Sequence, residues 1–577
     1  MGVFNLEALQ LQLREKNLFY PTLDGQLGAL SSEARPPESA VFRIPDGQFN
    51  DLRQPLMGAA ETRFGRNFAV QREPEERLLE PSPIEVSQRL LARTQFQPAR
   101  TLNLLAAAWI QFQVHDWFSH GDNELDQPFE LPLHSNDPRH SCPIKIKRTR
   151  SDRTRTNLED RAGLPPTFIN TTSHWWDASA IYGSGPEITK ELRSGEDGKL
   201  LLQDRRLPLD KKTKIASTGF SSNWWIGLEM LHTLFALEHN AICDRLRLEY
   251  PNWEDEQLFQ TARLVNAALI AKIHIVEWTP AILGHETLQL GMRANWWGIA
   301  GERLTKLFGR IGNGVVISGI PGSPQDHQGV PFALTEEFVS VYRMHSLLPD
   351  IIQIRRMKDG EVSNFKMEEV LREKSHTLSE RLSICDILYS MGITNPGALV
   401  LHNFPEFLRN LTLPPDALEA TEIVDLGAID ILRDRERGVP RYNEFRRLLR
   451  LKPCNSFEEM TDDPECAREL REVYKGDVEL VDLLVGTLAE TPPKGFGISE
   501  TSFRIFLLMA PRRLKSDRFF TDDYSPRVYS QIGINWISNN DMTSVLLRHY
   551  PELKPALWRT QNPFKPWNVI HPHQIAA

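Results

Sequence analysis

A tyrosine and a histidine that could do chemistry together lie one helical turn apart, at Tyr342 and His345. With Phe338 and Val341 they follow the spacing i, i+3, i+4 and i+7, so one helical face would carry two apolar side chains, a phenol and an imidazole. Two interpretations are open. Both residues could be core side chains with satisfied polar tips, or His345 could bind an iron whose cofactor edge lies beside Tyr342.

The residues around this pair predict the helix that would position it. Thr335 is a favourable N-cap, and Glu336 and Glu337 suit the positive end of the helix dipole. Pro349 is a stop signal. We therefore expect a helix of about three turns.

A second polar pair, Gln111 and His115, is spaced i, i+4 among small alanines. Thr101 as N-cap and Gly121 as stop predict the helix that carries it. The small residues would let a flat group approach the backbone on the face of the polar pair. Such a pair is either buried and hydrogen-bonded for structure, or functional, with His115 moving a proton on and off a peroxide oxygen that Gln111 holds.

Side-chain oxygens recur at Ser173, Asp177 and Ser179, and Asp116 adjoins His115. Hard oxygen ligands at such spacing suit a calcium ion that would pin this loop to the preceding helix. An Asx-turn accounts for the same residues equally well. Both interpretations are open from this stretch alone.

A third candidate site lies at a predicted helix break inside residues 254–283. His274 and Thr279 lie on either side of Glu277 and Trp278, and Thr279 precedes Pro280, which biases it away from helical geometry. The pair could form a polar pocket at the break. Alternatively, both side chains only satisfy the interrupted backbone.

The composition bounds the class of protein. The chain has 577 residues, enough for a large core, and strand-like alternation is rare, so we expect a mainly α fold. Residues 1–98 are rich in proline, glycine and charge, which predicts an arm packed on a core formed by residues 99–577. Within this arm, residues 4–18 are weakly amphipathic, and a packed surface helix is favoured over an interfacial one.

Charge and cysteine usage narrow the expected partners. A net charge of −9 gives no reason to expect nucleic acid. Five scattered cysteines without a C-x-x-C pair favour a reducing compartment and argue against zinc. No run approaches the roughly 20 apolar residues of a membrane span, and no secretory signal precedes the arm. We expect a cytoplasmic protein, with peripheral membrane contact left open.

Five motifs in fixed order extend these local patterns between residues 90 and 551. They are Gln111-x-x-x-His115-Asp116, Asp177-Ala-Ser179 with Tyr182-Gly183, Leu237-Glu-His-Asn240, Tyr342-Arg-Met-His345 and Ser516-Asp-Arg-Phe-Phe520. Each is weak alone, but their joint order resembles the peroxidase-cyclooxygenase superfamily of haem proteins, and most closely its fatty-acid α-dioxygenases. The resemblance implies a mainly helical catalytic domain over residues 99–577, with haem between the distal and proximal helices.

The resemblance also implies roles for the redox residues. His345 is the expected proximal haem ligand, His115 the distal histidine and Gln111 its companion. Tyr342 is the expected radical-forming tyrosine. Asp116, Ser173, the carbonyl of Trp175, Asp177 and Ser179 resemble the calcium ligands of the superfamily.

For the substrate, the resemblance implies a carboxylate held by His274, Thr279 and a distant arginine. Arg518 is the expected arginine, with Arg512 and Arg513 as alternatives. This chain departs from the mammalian peroxidases, which have a distal arginine and two haem-linking residues where our alignment gives Ser221, Trp224 and Trp225. Those departures imply haem b held without a covalent link and poor peroxide cleavage.

The expected function is therefore insertion of O2 at C2 of a long-chain fatty acid through a tyrosyl radical, giving a 2-hydroperoxy acid. The expected partners are the fatty acid and O2, and the expected state is a monomer. The alternatives are a mid-chain fatty-acid dioxygenase, a hydroperoxide-using peroxidase of the same superfamily, and a non-catalytic haem sensor.

Overall fold

The computed structural model describes residues 2–23, 38–131, 144–412 and 423–570. Helices dominate these residues, which confirms the mainly α class. The α-helices are α1 (Gly2–Lys16), α2 (Glu75–Leu78), α3 (Pro83–Val86), α4 (Leu104–Val114), α5 (Asn157–Arg161), α6 (Ser179–Tyr182), α7 (Pro186–Glu191), α8 (Ile226–Glu249), α9 (Asp255–Ile273), α10 (Thr279–Ile282), α11 (Glu286–Trp297), α12 (Gly301–Phe308), α13 (Val315–Ser318), α14 (Glu336–Val341), α15 (Glu373–Arg381), α16 (Ile384–Ile393), α17 (Glu406–Arg409), α18 (Leu426–Glu436), α19 (Tyr442–Leu448), α20 (Pro464–Val473), α21 (Leu483–Ala489), α22 (Glu500–Lys515), α23 (Pro526–Asn539), α24 (Met542–His549) and α25 (Lys554–Leu557).

Strands are short and occur as antiparallel pairs: β1 with β4, β2 with β3, β5 with β6 and β7 with β8. Their bounds are β1 (Thr62–Arg63), β2 (Glu124–Leu131), β3 (Ile144–Arg148), β4 (Ile169–Asn170), β5 (Ile351–Arg355), β6 (Val362–Lys366), β7 (Leu411–Thr412) and β8 (Ile423–Val424). Each described sheet has two strands, so these pairs fasten loops, and the core is built from helices.

The core forms where α4, α8, α9 and α23 pack together. Trp109 of α4 lies 5.5 Å from the ring of Phe235 of α8, and Phe112 stacks on the same phenylalanine at 5.6 Å. Burying each of these aromatic side chains contributes roughly 2–3 kcal/mol. The packing fixes α4 against α8, and with it the position of the Gln111 and His115 face.

The bounds of α4 differ from the sequence prediction. Asn103, and not Thr101, is the N-cap, because its side-chain oxygen accepts the Ala106 N–H at 3.1 Å. The helix ends at Val114 instead of Gly121. Beyond Val114 the backbone carbonyls have no helical partner, and a side chain from the segment before α6 takes that place: Asn170 Nδ2 donates to the Trp117 carbonyl at 2.8 Å. These tertiary contacts replace the helical bonds that a continuation would have made.

The cap of α14 is confirmed, but its length is not. The Thr335 side chain accepts a backbone N–H three residues on, at 3.2 Å. The helix ends after six residues, well before Pro349, and His345 begins a separate 3-10 turn, His345–Leu347. The reason is tertiary: Arg343 and His345 both reach carboxylates on α18, and a continuous helix would direct these two side chains differently.

The N-terminal segment packs on the rest of the molecule. Leu13 of α1, Phe64 and Leu91 belong to the same buried cluster as Trp109, and Gln10 donates to the Leu507 carbonyl at 3.0 Å. The interpretation of α1 as a packed surface helix agrees with these contacts, while the boundary at residue 98 stays a prediction. In the part of the chain that the structure describes, no helix is both long and apolar enough to cross a membrane.

Buried histidines predict that acid destabilises this fold. Burial lowers the pKa of His120 and His239 to about 4 and that of His274 to about 3. Each stays neutral in the folded state but takes a proton on unfolding below pH 6.5, so each costs up to about 1.4 kcal/mol of stability per pH unit as the pH falls. We expect the thermal midpoint to change little above pH 6.5 and to drop steeply from there towards pH 4. A midpoint that is constant from pH 7 to pH 5 would contradict this.

Candidate active site

The Tyr342 ring is enclosed by aromatic side chains. Its centroid lies 4.7 Å from Phe338, 4.6 Å from Phe506 and 5.9 Å from Trp117, all in edge-to-face geometry. Burial raises the pKa of the phenol, so its proton stays on the oxygen at any physiological pH. The tyrosine therefore sits in a rigid, low-polarity surrounding beside the chain that follows α4.

An apolar cavity opens beside Tyr342. Its polar lining residues are Tyr342, His274, Thr279 and Asn295; the apolar lining comes from α10, α11 and α22. A mostly apolar lining with a few convergent polar groups suits a ligand with a hydrocarbon chain and one polar end. The structure thus brings together three residues that the sequence nominated separately.

A π-helical turn, His274–Trp278, positions the two polar residues at the end of α9. Such turns widen the helix by one residue and are frequent at functional sites. Thr279 Oγ1 donates to the His274 carbonyl at 2.9 Å, and Trp109 Nε1 donates to His274 Nδ1 at 3.2 Å. Since Nδ1 accepts and the ring is neutral, its proton must be on Nε2, which makes Nε2 a donor for a ligand.

The structure does not bring Arg518 to this cavity, which corrects the sequence expectation. Its guanidinium donates to Asp523 and to the carbonyls of Ala40 and Phe49, and it borders a separate polar depression. Arg512 is also committed elsewhere, because it donates to the Val330 carbonyl at 2.7 Å. The cause is that Arg518 lies beyond the end of α22, where the chain has already turned away.

Arg513 is the arginine beside the site. Its guanidinium lies 3.7 Å over the Trp117 ring, and Nη2 donates to the Trp175 carbonyl at 2.6 Å. Nη1 is buried without a partner. Burial lowers the pKa of Arg513 to about 9, and its charge in turn helps lower the pKa of His274 after burial. A buried cation with a free N–H is a ready partner for an anion.

Gln111 and His115 both contact the segment that precedes α8. Gln111 Nε2 donates to the Asn223 carbonyl at 3.2 Å, and His115 Nδ1 lies 3.4 Å from the Ser222 carbonyl. Gln111 Oε1 accepts from Trp225 Nε1 at 2.7 Å, which fixes the amide. His115 Nε2 lies 3.1 Å from Nε2 of His232, a residue that the sequence analysis did not select. Burial lowers the pKa of His115 to about 4 and that of His232 well below its usual value. Two neutral rings at this distance share one proton, so they form a proton-transfer pair.

His345 is held from behind by a carboxylate. Its Nδ1 lies 2.9 Å from Asp430 Oδ2, and Arg343 donates to the same carboxylate. Burial alone would raise the pKa of Asp430, but the Arg343 charge and His345 hold it below its usual range. The His345 side chain is 32% exposed, and its Nε2 forms no hydrogen bond within the described residues. An imidazole oriented in this way fits an iron ligand.

The oxygen-rich loop is compact and buried. Ser179 Oγ donates to Asp116, Asp177 accepts the Ser179 N–H at 3.1 Å, and Ser173 Oγ accepts the Trp175 N–H at 3.2 Å. Burial, reinforced by the Asp177 charge, raises the pKa of Asp116 to about 7. Two buried carboxylates beside two hydroxyls and a carbonyl are a hard-oxygen donor set, which fits calcium.

Comparison with known proteins defines the class. The family model "Animal haem peroxidase" matches residues 42–563 of this chain. The match covers most of the fold described above, including α4, α8, α9, α14 and α22. The chain therefore belongs to the animal haem peroxidase family, and its fold is the fold of that family.

Individual relatives narrow the class further. The chain is 42% identical to Alpha-dioxygenase 1 of Capsicum annuum over 92% of this chain and 84% of that one, and 39% identical to an α-dioxygenase of Oryza sativa subsp. japonica over 92% and 87%. Among solved structures, the fatty acid α-dioxygenase of Arabidopsis thaliana matches with a TM-score of 0.90 and 36% identity, over 98% of this chain and 88% of that one. The chain belongs to the fatty-acid α-dioxygenases and is an oxidoreductase of the dioxygenase type. An Oryza sativa variant of the same kind, also at a TM-score of 0.90 and 36% identity over 99% of this chain and 93% of that one, was solved with palmitic acid.

Proposed function

We propose that this α-dioxygenase inserts O2 at C2 of long-chain fatty acids, with Tyr342 as the residue that removes hydrogen. The observation that carries the proposal is that Tyr342, His274 and Thr279 line one apolar cavity. A hydrocarbon tail fits the apolar lining, and a carboxylate fits the polar end. Oxygen uptake with palmitic acid, with the product position read by mass spectrometry, tests it.

Haem b, held without a covalent link, is the proposed cofactor. His345, oriented by Asp430, would bind its iron, and His115 with Gln111 would handle the proton of the peroxide. The bound haem supplies the one-electron oxidation that converts the Tyr342 phenol to a radical. Burial keeps His115 neutral, and its Nε2 lies 3.1 Å from Nε2 of His232, so this contact would let a proton pass between the two rings.

The proposed reaction starts from Tyr342, which lines the substrate cavity. The Tyr342 oxygen radical takes a hydrogen atom from C2, which leaves a carbon radical at C2. O2 adds there and forms a C–O bond, and the resulting peroxyl radical takes a hydrogen atom back from Tyr342. The product is a 2-hydroperoxy acid, and the tyrosyl radical is restored for another turnover.

Regiochemistry is set by the carboxylate clamp. C2 adjoins the carboxylate, so holding the carboxylate places C2 against Tyr342. Arg513 supplies the charge through its unpartnered Nη1, and His274 Nε2 supplies a further hydrogen bond. The Thr279 hydroxyl would donate to the carboxylate by turning away from the His274 carbonyl that it contacts in the free site. The enclosed site has a low dielectric, which strengthens the attraction between the guanidinium and the carboxylate.

Calcium is proposed to stabilise the loop that supports Arg513. Asp116, Ser173, Asp177 and Ser179 would bind it, together with the Trp175 carbonyl, which also accepts from Arg513. We expect Asp116→Ala to lose bound calcium, to lower the thermal midpoint and to raise the KM for fatty acid several-fold, since the anchor of Arg513 becomes mobile.

The control for this prediction is Asp210→Ala, since Asp210 serves only its own turn through the Thr213 N–H. Metal content is measured by atomic absorption, and KM by oxygen uptake. Purified wild-type protein without calcium, or an Asp116→Ala variant with unchanged KM and midpoint, would contradict the assignment.

A cytoplasmic location and a monomeric state complete the proposal. Four cysteines of the described residues, Cys243, Cys385, Cys454 and Cys466, are free thiols, which supports a reducing compartment. Cys142 lies outside the described residues.

A further inference from the structure

Exposed apolar side chains concentrate in one short segment next to the substrate cavity. Of the twenty exposed large apolar side chains in the described residues, seven lie within residues 299–317. We call these seven the apolar ledge: Ile299, Leu304, Leu307, Phe308, Ile311, Val316 and Ile317. Scattered exposed apolar residues are normal, but a contiguous group marks an interaction surface.

The helix α12 is the centre of the ledge. Leu304, Leu307 and Phe308 share one face by their i, i+3, i+4 spacing, and they are 46%, 72% and 67% exposed. No residue of α12 is buried, so its apolar face is left largely exposed in the described structure. A short amphipathic helix in this state is typical of helices that lie in a membrane interface.

The charge around the ledge is opposite to that of the whole chain. Residues 293–311 contain four basic residues, Arg293, Arg303, Lys306 and Arg310, and one acidic residue, Glu302, while the chain has a net charge of −9. Glu302 pairs with Lys306 at 2.7 Å. Arg310 is half-buried and donates to the carbonyls of Gly319, Pro321 and Asn313. The exposed cations Arg293 and Arg303 remain, and they favour an anionic surface over a neutral one.

Helix α11 lies between the ledge and the cavity. Met292 and Asn295 of α11 line the cavity, whereas Leu290 of α11 is 52% exposed and Ile299 follows directly at its end. A lipid that leaves a bilayer at the ledge is thus separated from the cavity by the thickness of one helix. Helix α11 therefore borders the cavity with some of its residues and approaches the ledge at its C-terminal end.

We propose that the apolar ledge docks on the surface of an anionic phospholipid bilayer and takes the fatty-acid substrate from it. The proposal rests on the proposed function, because it assumes a fatty acid in the cavity. A second copy of the chain is a poorer occupant, since a symmetric dimer through the ledge would bring the exposed Arg303 cations of both copies together. A bilayer accepts the apolar face and neutralises the cations at once.

The first test is vesicle sedimentation with the haem-loaded protein. We expect binding to phosphatidylcholine vesicles that contain phosphatidylserine, and weaker binding at high salt or without phosphatidylserine. The double variant Leu307→Glu with Phe308→Glu should bind at least about tenfold more weakly. The matched control is Leu248→Glu, which changes an 80% exposed leucine on α8 and should bind like wild type.

The second test separates docking from chemistry. With palmitic acid supplied in vesicles, the double variant should consume oxygen about fivefold more slowly than wild type, and with a dissolved short-chain acid both should react alike. Wild type that oxidises the dissolved acid but does not bind vesicles would overturn the docking and leave the proposed function standing. No oxidation of either acid by wild type would instead remove the proposed function and the delivery role. A dimer that the double variant dissociates, without vesicle binding, would also overturn the docking.

Discussion

Tyr342→Phe is expected to lose fatty-acid oxygenation by at least a factor of about a thousand while keeping the fold and the haem spectrum. The substitution removes only the oxygen that carries the radical. The ring contacts with Phe338, Phe506 and Trp117 depend on the aromatic face and edge and remain available. Oxygen uptake and the Soret spectrum are measured on the same preparation.

The matched control is Tyr389→Phe, which removes another buried phenol oxygen. That oxygen accepts the Ile570 N–H at 2.8 Å, so its loss should cost about 1 kcal/mol of stability and leave turnover intact. Oxygen uptake that survives in Tyr342→Phe at a rate near wild type would end the assignment of Tyr342 as the hydrogen-abstracting residue.

Arg513→Ala is expected to raise the KM for palmitic acid about 10- to 100-fold, the range of a lost charge-assisted hydrogen bond. The guanidinium also contacts Trp117 and the Trp175 carbonyl, so the variant could lose stability for structural reasons alone. Arg513→Lys separates the two effects because it keeps the charge and loses the fork geometry. Free guanidinium added to Arg513→Ala should restore part of the activity if the charge acts on the substrate.

The paired control is Arg518→Ala. Arg518 is bound to Asp523 and to carbonyls of the N-terminal segment, so its loss should lower the thermal midpoint and leave KM unchanged. The haem spectrum should be unchanged in all three variants. A raised KM in Arg518→Ala together with a normal KM in Arg513→Ala would reverse the choice of arginine.

The sequence alone could not predict which arginine, Arg513 or Arg518, lies beside the site. Arg512, Arg513 and Arg518 lie within seven positions of one another, and the motif that contains Arg518 resembles the family pattern. Which one comes to lie beside Trp117 depends on where α22 ends, and α22 ends at Lys515. Helix ends are set by tertiary contacts, so spacing alone could not decide among them.

The sequence predicted features that depend only on residues close together along the chain. Thr335 caps α14 through its own side chain, and the spacing of His274 and Thr279 places both on one cavity. His232 was missed because its importance comes from a neighbour 117 residues away, His115 on the chain beyond α4. The Leu-His-Thr-Leu stretch around it was the available signal, and nothing in one sequence says which ring it meets.

The predicted length of α14 was wrong for a similar reason. The pattern from Phe338 to His345 is consistent with one continuous helix, but the structure breaks it after Val341. Asp430 and Asp434 on α18 bind Arg343 and His345, and these ion pairs in a buried setting outweigh one or two further helical turns. The two residues keep their proximity along the chain, although they do not share a helix.

The most direct test of the account is oxygen uptake by the haem-loaded protein with palmitic acid, a saturated substrate, followed by mass spectrometry of the product. We expect oxygen uptake, with the new oxygen at C2 as the 2-hydroperoxy acid or as the aldehyde one carbon shorter that remains after loss of CO2. No uptake with palmitic acid, together with mid-chain oxygenation of linoleic acid, would contradict it and would release Arg513, His274 and Thr279 from the carboxylate clamp.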